Sequence, residues 1–138
     1  MEDERISVET TVSSAIDKVW KLWTQPEHIV KWNNASADWY TPSAVNDLRA
    51  GGTFSYKMAA KDGSYQFDFG GIYDEVIDRK KIMYTLGDGR KAEVEFTETE
   101  GGVRMAETFD KEKTNPVAAQ RAGWQAILDH FKSYAEIN

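Results

Sequence analysis

Two glutamates stand where a strand would turn them inward. In "VRMAETF" (103–109), Glu107 lies two residues from both Met105 and Phe109, so a side-chain period of two puts all three on one face. Glu75 has a similar phase in its own strand. Two inward carboxylates would allow acid–base chemistry. One buried and unpaired carboxylate is costly and tends to take up a proton; it can then hydrogen-bond a ligand hydroxyl or carbonyl. The alternative is that one or both sit near a strand end and reach water, or pair with a nearby Arg or Lys. Gln120 is the lone polar residue in an apolar helical stripe. It either offers a ligand one donor and one acceptor or lies at the stripe's edge in solvent. His28 and His130 have no Ser–Asp or metal-ligand pattern nearby and read as surface residues. There is no Cys, which excludes a thiolate nucleophile, a disulfide framework and a cysteine metal site. The glycine pairs lie before or between strands, where turns need them, and form no phosphate or dinucleotide loop. With no triad, metal set or cofactor loop in view, no cofactor is expected and catalysis ranks below binding.

The elements that position these residues read in order. "RISVETTV" (5–12) alternates as a first strand. "SSAIDKVWKLW" follows as a helix, with Ser13 or Ser14 as its cap and Ile16, Val19, Trp20 and Trp23 on its buried face. Pro26 opens a second short helix, Pro26–Lys31, and Trp32 follows. Residues 33–50 carry no clear period; they hold Trp39 and Tyr40 and end in a short strand at Val45–Leu48. Five antiparallel strands then follow at 53–60, 65–77, 82–86, 90–99 and 103–109, the first turn being Asp62–Gly63. A long C-terminal helix is capped by Thr114 or Asn115 and starts at Pro116. Its stripe is Val117, Gln120, Trp124, Ile127, Phe131 and Tyr134.

Helices kept to one side of an antiparallel sheet make an α+β two-layer domain. A sheet of about six or seven strands twists and curls, so one helix cannot sit flush on all of it. The gap is filled by large side chains, by ligand, or by both. Strand phases nominate the wall: Phe54, Tyr56 and Met58, then Phe67 and Phe69, with Tyr73 and Ile77 continuing if Gly70–Gly71 makes no bulge. Ile82, Tyr84 and Leu86 share a face, as do Ala92, Val94 and Phe96, and Val103, Met105 and Phe109. All of these equally suit an ordinary core, where burying each contributes roughly 1.5–3 kcal/mol. On the facing helix, Ala119, Ala122, Gly123 and Ala126 are small and either let the helix sit close or leave space. The expected ligand contacts are Trp32, Trp39, Tyr40, Phe54, Tyr56, Met58, Phe67, Phe69, Tyr84, Phe96, Met105, Glu107, Gln120, Trp124 and Ile127. Residues 33–50, with Trp39 and Tyr40, read either as an aromatic-bearing lid beside the cavity or as plain packing.

Composition narrows the partners. The formal charge of −6 argues against nucleic acid and anionic membranes, which need clustered Lys and Arg. No apolar run approaches the ~18 residues of a membrane span. Glu2–Asp3–Glu4 is the opposite of a signal peptide's basic start, so the expectation is a cytoplasmic protein.

Four stretches, "VWKLWTQPEHIVKW" (19–32), "GGTFSYKM" (51–58), "FGGIYDEVIDRKKIMYTL" (69–86) and "GWQAILDHFKSYAE" (123–136), resemble the START-like, helix-grip superfamily (SRPBCC, birch-pollen-allergen-like). Within it they are most similar to the family named after the activator of the heat-shock protein 90 ATPase. The resemblance spans nearly the whole chain and implies one domain over residues 1–138, with a curled sheet wrapped around the C-terminal helix. It implies a deep, mostly apolar cavity and small hydrophobic or aromatic ligands such as lipids, sterols and polyketides. Some relatives are cyclases or hydroxylase subunits, so an enzyme on a polyketide-like substrate is one alternative. The family's name implies another: a protein-interaction module with a chaperone partner, acting in stress response.

Overall fold

The computed structural model describes residues 5–138; the acidic start at Glu2–Glu4 lies outside the described residues. Seven strands form one antiparallel sheet in the order β1-β7-β6-β5-β4-β3-β2. They are β1 (Arg5–Val12), β2 (Trp39–Asn46), β3 (Thr53–Ala60), β4 (Gln66–Ile77), β5 (Lys81–Leu86), β6 (Lys91–Thr99) and β7 (Gly102–Asp110). Helices α1 (Ile16–Thr24) and α2 (Pro26–Trp32) follow β1, and α3 (Val117–Ile137) closes the chain. The expected α+β helix-grip architecture is present, with a curled sheet and the long helix packed on it.

Several local expectations are corrected. Neither Ser13 nor Ser14 caps α1; the cap position is Ala15, with no side-chain bond. Helix α3 starts at Val117, with Pro116 extended at its cap. The stretch read as irregular contains a full edge strand, β2, paired with β3. Two features hid it. A register shift between Tyr40 and Ser43 interrupts the alternation, and Pro42 is tolerated only because the strand is an edge. Asn46 at its end donates to the Thr24 carbonyl at 2.6 Å. Residues 39–46 of this segment are therefore tied into the sheet and to α1.

Strand β4 departs from simple alternation. A Cβ on Gly70 would lie 2.4 Å from the Phe54 carbonyl oxygen, and one on Gly71 2.2 Å from that of Thr85. Only glycine lets the middle of β4 pass this close to both neighbours. The register against β5 then shifts between Tyr73 and Glu75. Tyr73 stays inward and buried, while Glu75 and Ile77 are turned out to the exposed face and Val76 joins the core. The predicted phases of Glu75 and Ile77 are wrong for this reason.

The core is fullest under β1, β6 and β7. There Val8, Val12, Val19, Val103, Met105, Leu128, Phe131 and Ala135 are buried. Trp23 stacks on Trp32 at 4.6 Å between ring centres, and Phe131 meets both edge-on at 4.9 and 5.0 Å. Helix α3 makes its closest backbone approaches to β1, α1 and α2.

Candidate functional site

Under β3, β4 and β5 the same helix leaves a cavity of about 320 Å³. Phe54, Tyr56 and Met58 reach it from β3, Phe67, Phe69 and Tyr73 from β4, and Ile82 and Tyr84 from β5. Helix α3 contributes Gly123, Trp124 and Ile127. A Cβ on Gly123 would meet nothing within 4 Å, so this small residue leaves space on the wall. Trp124 is held off the centre by stacking on Phe109 at 3.8 Å. Phe67 is 39% exposed and, with Ala35 and Glu112, lies at the solvent end of the wall.

Most of the expected contacts line this space: Trp32, Phe54, Tyr56, Met58, Phe67, Phe69, Tyr84, Glu107, Trp124 and Ile127. Five do not. Phe96 packs on Trp20 at 5.2 Å, and Met105 is fully buried in the filled part of the core. Trp39 lies outside the wall against Tyr65 and Phe67, and Tyr40 is exposed on β2. Gln120 is buried, but its amide is already engaged. Its Oε1 accepts from the Glu112 N–H at 2.9 Å, and its Nε2 donates to the Asn115 carbonyl at 2.7 Å and that of Glu112 at 3.2 Å. It closes the loop that leads into α3 and does not line the cavity. Sequence reasoning missed Asn46, Arg90 and Glu112 as wall residues. All three sit at strand ends or in loops, where period two gives no signal.

The polar groups of the wall are set by burial. Glu107, between Val8 and Val94 in the sheet, is only 6% exposed. Burial alone pushes its carboxyl up to about 8, so it is mostly protonated at neutral pH. Tyr56 and Tyr84 are ringed by protein, and burial first, then neighbours including Glu107, raises both phenols well above their usual value. Burial takes Tyr73 to about 12, partly offset by hydrogen bonding to Tyr56 and Asn46. Its hydroxyl donates to Asn46 Oδ1, so the Tyr73–Asn46–Thr24 chain fixes β4 and β2 to the end of α1. The wall is thus mostly apolar and aromatic, with neutral hydroxyls beside the Glu107 carboxyl and a second carboxyl, Glu112, at its edge.

Glu75 is exposed, so the cavity holds no Glu75–Glu107 pair. Among the described residues no group of three His, Cys, Asp or Glu side chains could hold a metal ion. No helix among them is long and apolar enough to cross a membrane.

The chain matches the family model described as Activator of Hsp90 ATPase homolog 1-like protein over residues 13–136. It is 43% identical to an AHSA1-like protein from Aeromonas hydrophila, whose solution structure superposes with a TM-score of 0.92 over 97% of this chain and 93% of that one. A Cytophaga hutchinsonii protein is 57% identical, with a TM-score of 0.84 over 97% of this chain and 93% of that chain. A Nitrosomonas europaea protein shares the fold at 21% identity, with a TM-score of 0.81 over 96% of this chain and 94% of that one. No curated protein matches. The match covers most of the sequence and joins the fold and cavity just described, so the chain belongs to the Activator of Hsp90 ATPase homolog 1-like family.

Proposed function

We propose that this protein binds a small, mostly apolar molecule bearing an aromatic group in the cavity between β3–β5 and α3. The observation that carries this reading is a void of about 320 Å³ walled by Phe54, Tyr56, Phe69, Tyr84 and Trp124. That volume falls at the lower end of the range for small-molecule sites. Affinity comes from apolar area removed from water. Orientation comes from the polar end, where Glu107 and the hydroxyls of Tyr56 and Tyr84 converge. The enzyme alternative has less support, because the second carboxylate it would use, Glu75, faces out.

Trp23, Trp32 and Trp124 all line the cavity, so occupancy is readable as tryptophan quenching. A planar hydroxylated aromatic at about 100 times its Kd should also stabilise the fold by about 2.7 kcal/mol and raise Tm. A panel of such compounds, sterols and fatty acids that changes neither signal would refute the reading.

A further inference from the structure

Glu107 is the carboxyl of the wall for which no hydrogen-bond partner stands among the described residues. Its side chain is buried to 6% exposure and lines the cavity. Burial raises its carboxyl, and no hydrogen bond or positive charge among the described residues offsets this. Among the described residues every polar side-chain atom shut off from solvent has a partner, so the unpartnered Glu107 oxygens keep an open face toward the cavity that Glu107 lines. Around that space the aromatic faces crowd. The Phe54 ring centre lies 5.3 Å from Tyr56, 5.1 Å from Tyr84 and 6.1 Å from Phe69. The cationic side chain on the wall is Arg90, and it is held by Asp88, Nε to Oδ2 at 2.7 Å.

We propose that the cavity is built for an organic cation: a small aromatic or alkyl amine whose ammonium docks on the Glu107 carboxylate beside Tyr56 and Tyr84. This rests on the cavity reading above and adds the charge of the ligand to it. An ammonium supplies the missing counter-charge, and charge-assisted hydrogen bonds are roughly twice as strong as neutral ones. The ring faces attract the same charge through their quadrupoles. A neutral alcohol gains only the hydrogen bond, and a carboxylic acid brings a second negative charge to a wall whose arginine is taken. The net charge of −6 also favours encounter with cations.

Binding has a proton balance. The empty site holds a mostly protonated Glu107 at pH 7. The incoming ammonium keeps its own proton, Glu107 releases one to solvent, and the ion pair forms. Affinity for the amine therefore rises with pH until Glu107 is ionised without help. The other ionisable groups facing the space are Tyr56, Tyr73 and Tyr84, which stay neutral over this range, with Arg90 on Asp88, and Glu112, which accepts from the Asn115 N–H. Glu107's strand partners Val8 and Val94, and the helix residues Trp124 and Ile127 across the cavity, do not titrate.

The test uses three probes with one naphthalene body: naphthylmethylamine, naphthylmethanol and naphthylacetic acid, titrated calorimetrically. The wild-type protein should bind the amine about tenfold tighter than the alcohol at pH 8, with the acid weakest. In Glu107→Gln the amine-to-alcohol ratio should fall to about one. In the wild type alone, amine affinity should climb at least about tenfold from pH 6 to pH 8 while alcohol affinity does not climb. Equal binding of amine and alcohol, or an amine affinity flat with pH, would overturn the charge assignment and leave the cavity reading standing. Failure of all three probes to bind would overturn both.

Discussion

The two halves of the interior share one helix and one sheet, yet they are finished differently. Under β1, β6 and β7, α3 presents Leu128, Phe131 and Ala135, all fully buried, against valines, Met105 and the Trp23–Trp32 stack. Under β3, β4 and β5 the same helix presents Gly123, Trp124 and Ile127 to a void. The rings there touch one another at tilted or edge-on angles and keep part of their surface free. The C-terminal half of the helix is thus used for stability, and the N-terminal half leaves room for a guest. A close-packed region loses contacts outright when an atom is removed. A wall beside an open space has fewer contacts to lose.

The largest effect should separate the halves by stability. Phe131→Ala removes a ring that meets both Trp23 and Trp32 and should cost about 3–5 kcal/mol. Phe69→Ala on the cavity wall should cost less, about 2 kcal/mol, because that ring borders the open space as well as Phe54, Tyr56 and Trp124. Urea denaturation of both variants gives the comparison directly; equal losses would erase the distinction between the halves.

Next comes the carboxyl. Burial raises Glu107 to about 8 in the folded protein, above the unfolded value of roughly 4.3. The folded state therefore binds the proton more tightly, and the stability this gives is complete at low pH and lost as pH rises from about 4 through 8. Glu107→Gln removes the titration and should be more stable than wild type by on the order of 3 kcal/mol at pH 7. The two proteins should converge near pH 4. A wild-type Tm that does not fall relative to the variant over this range would show that the carboxyl is well solvated.

The smallest change in stability should carry the clearest change in binding. Gly123→Leu places a side chain where a Cβ meets nothing within 4 Å. Replacing a helical glycine should add about 0.5–1 kcal/mol of stability, while the new side chain fills the cavity and lowers ligand affinity at least about tenfold. A variant that is as stable as wild type and binds equally well would place the site elsewhere.

Much of this division was legible in the residues. Phe54, Tyr56 and Met58 alternate without interruption, and each lines the cavity. Glu107 lies inward because β7 pairs without a register shift against both β1 and β6. Where the ladder is irregular, period two fails. The shift after Tyr73 sends Glu75 outward, and no residue type at that point announces it. Strand β2 was hidden by its own register shift and by Pro42. Gln120 is neither a ligand contact nor a solvent edge: it is buried, and its partners are backbone groups of residues 112 and 115, of which side-chain patterning says nothing. Phe96 and Met105 share the inward phase of the wall residues and lie in the filled half. Phase tells inside from outside; it does not tell packed from hollow, which depends on where the helix stands off the sheet.

The central claim is that a guest enters the space under β3–β5. Backbone amide NMR shifts recorded while a small apolar aromatic amine is titrated test it most directly. The account predicts saturable shifts in β3, β4 and β5, at Trp23 and Trp32 and around Gly123–Ile127, with the turn at residues 98–102, outside the wall, unmoved. Shifts confined to the convex face, or none at millimolar probe, would contradict it.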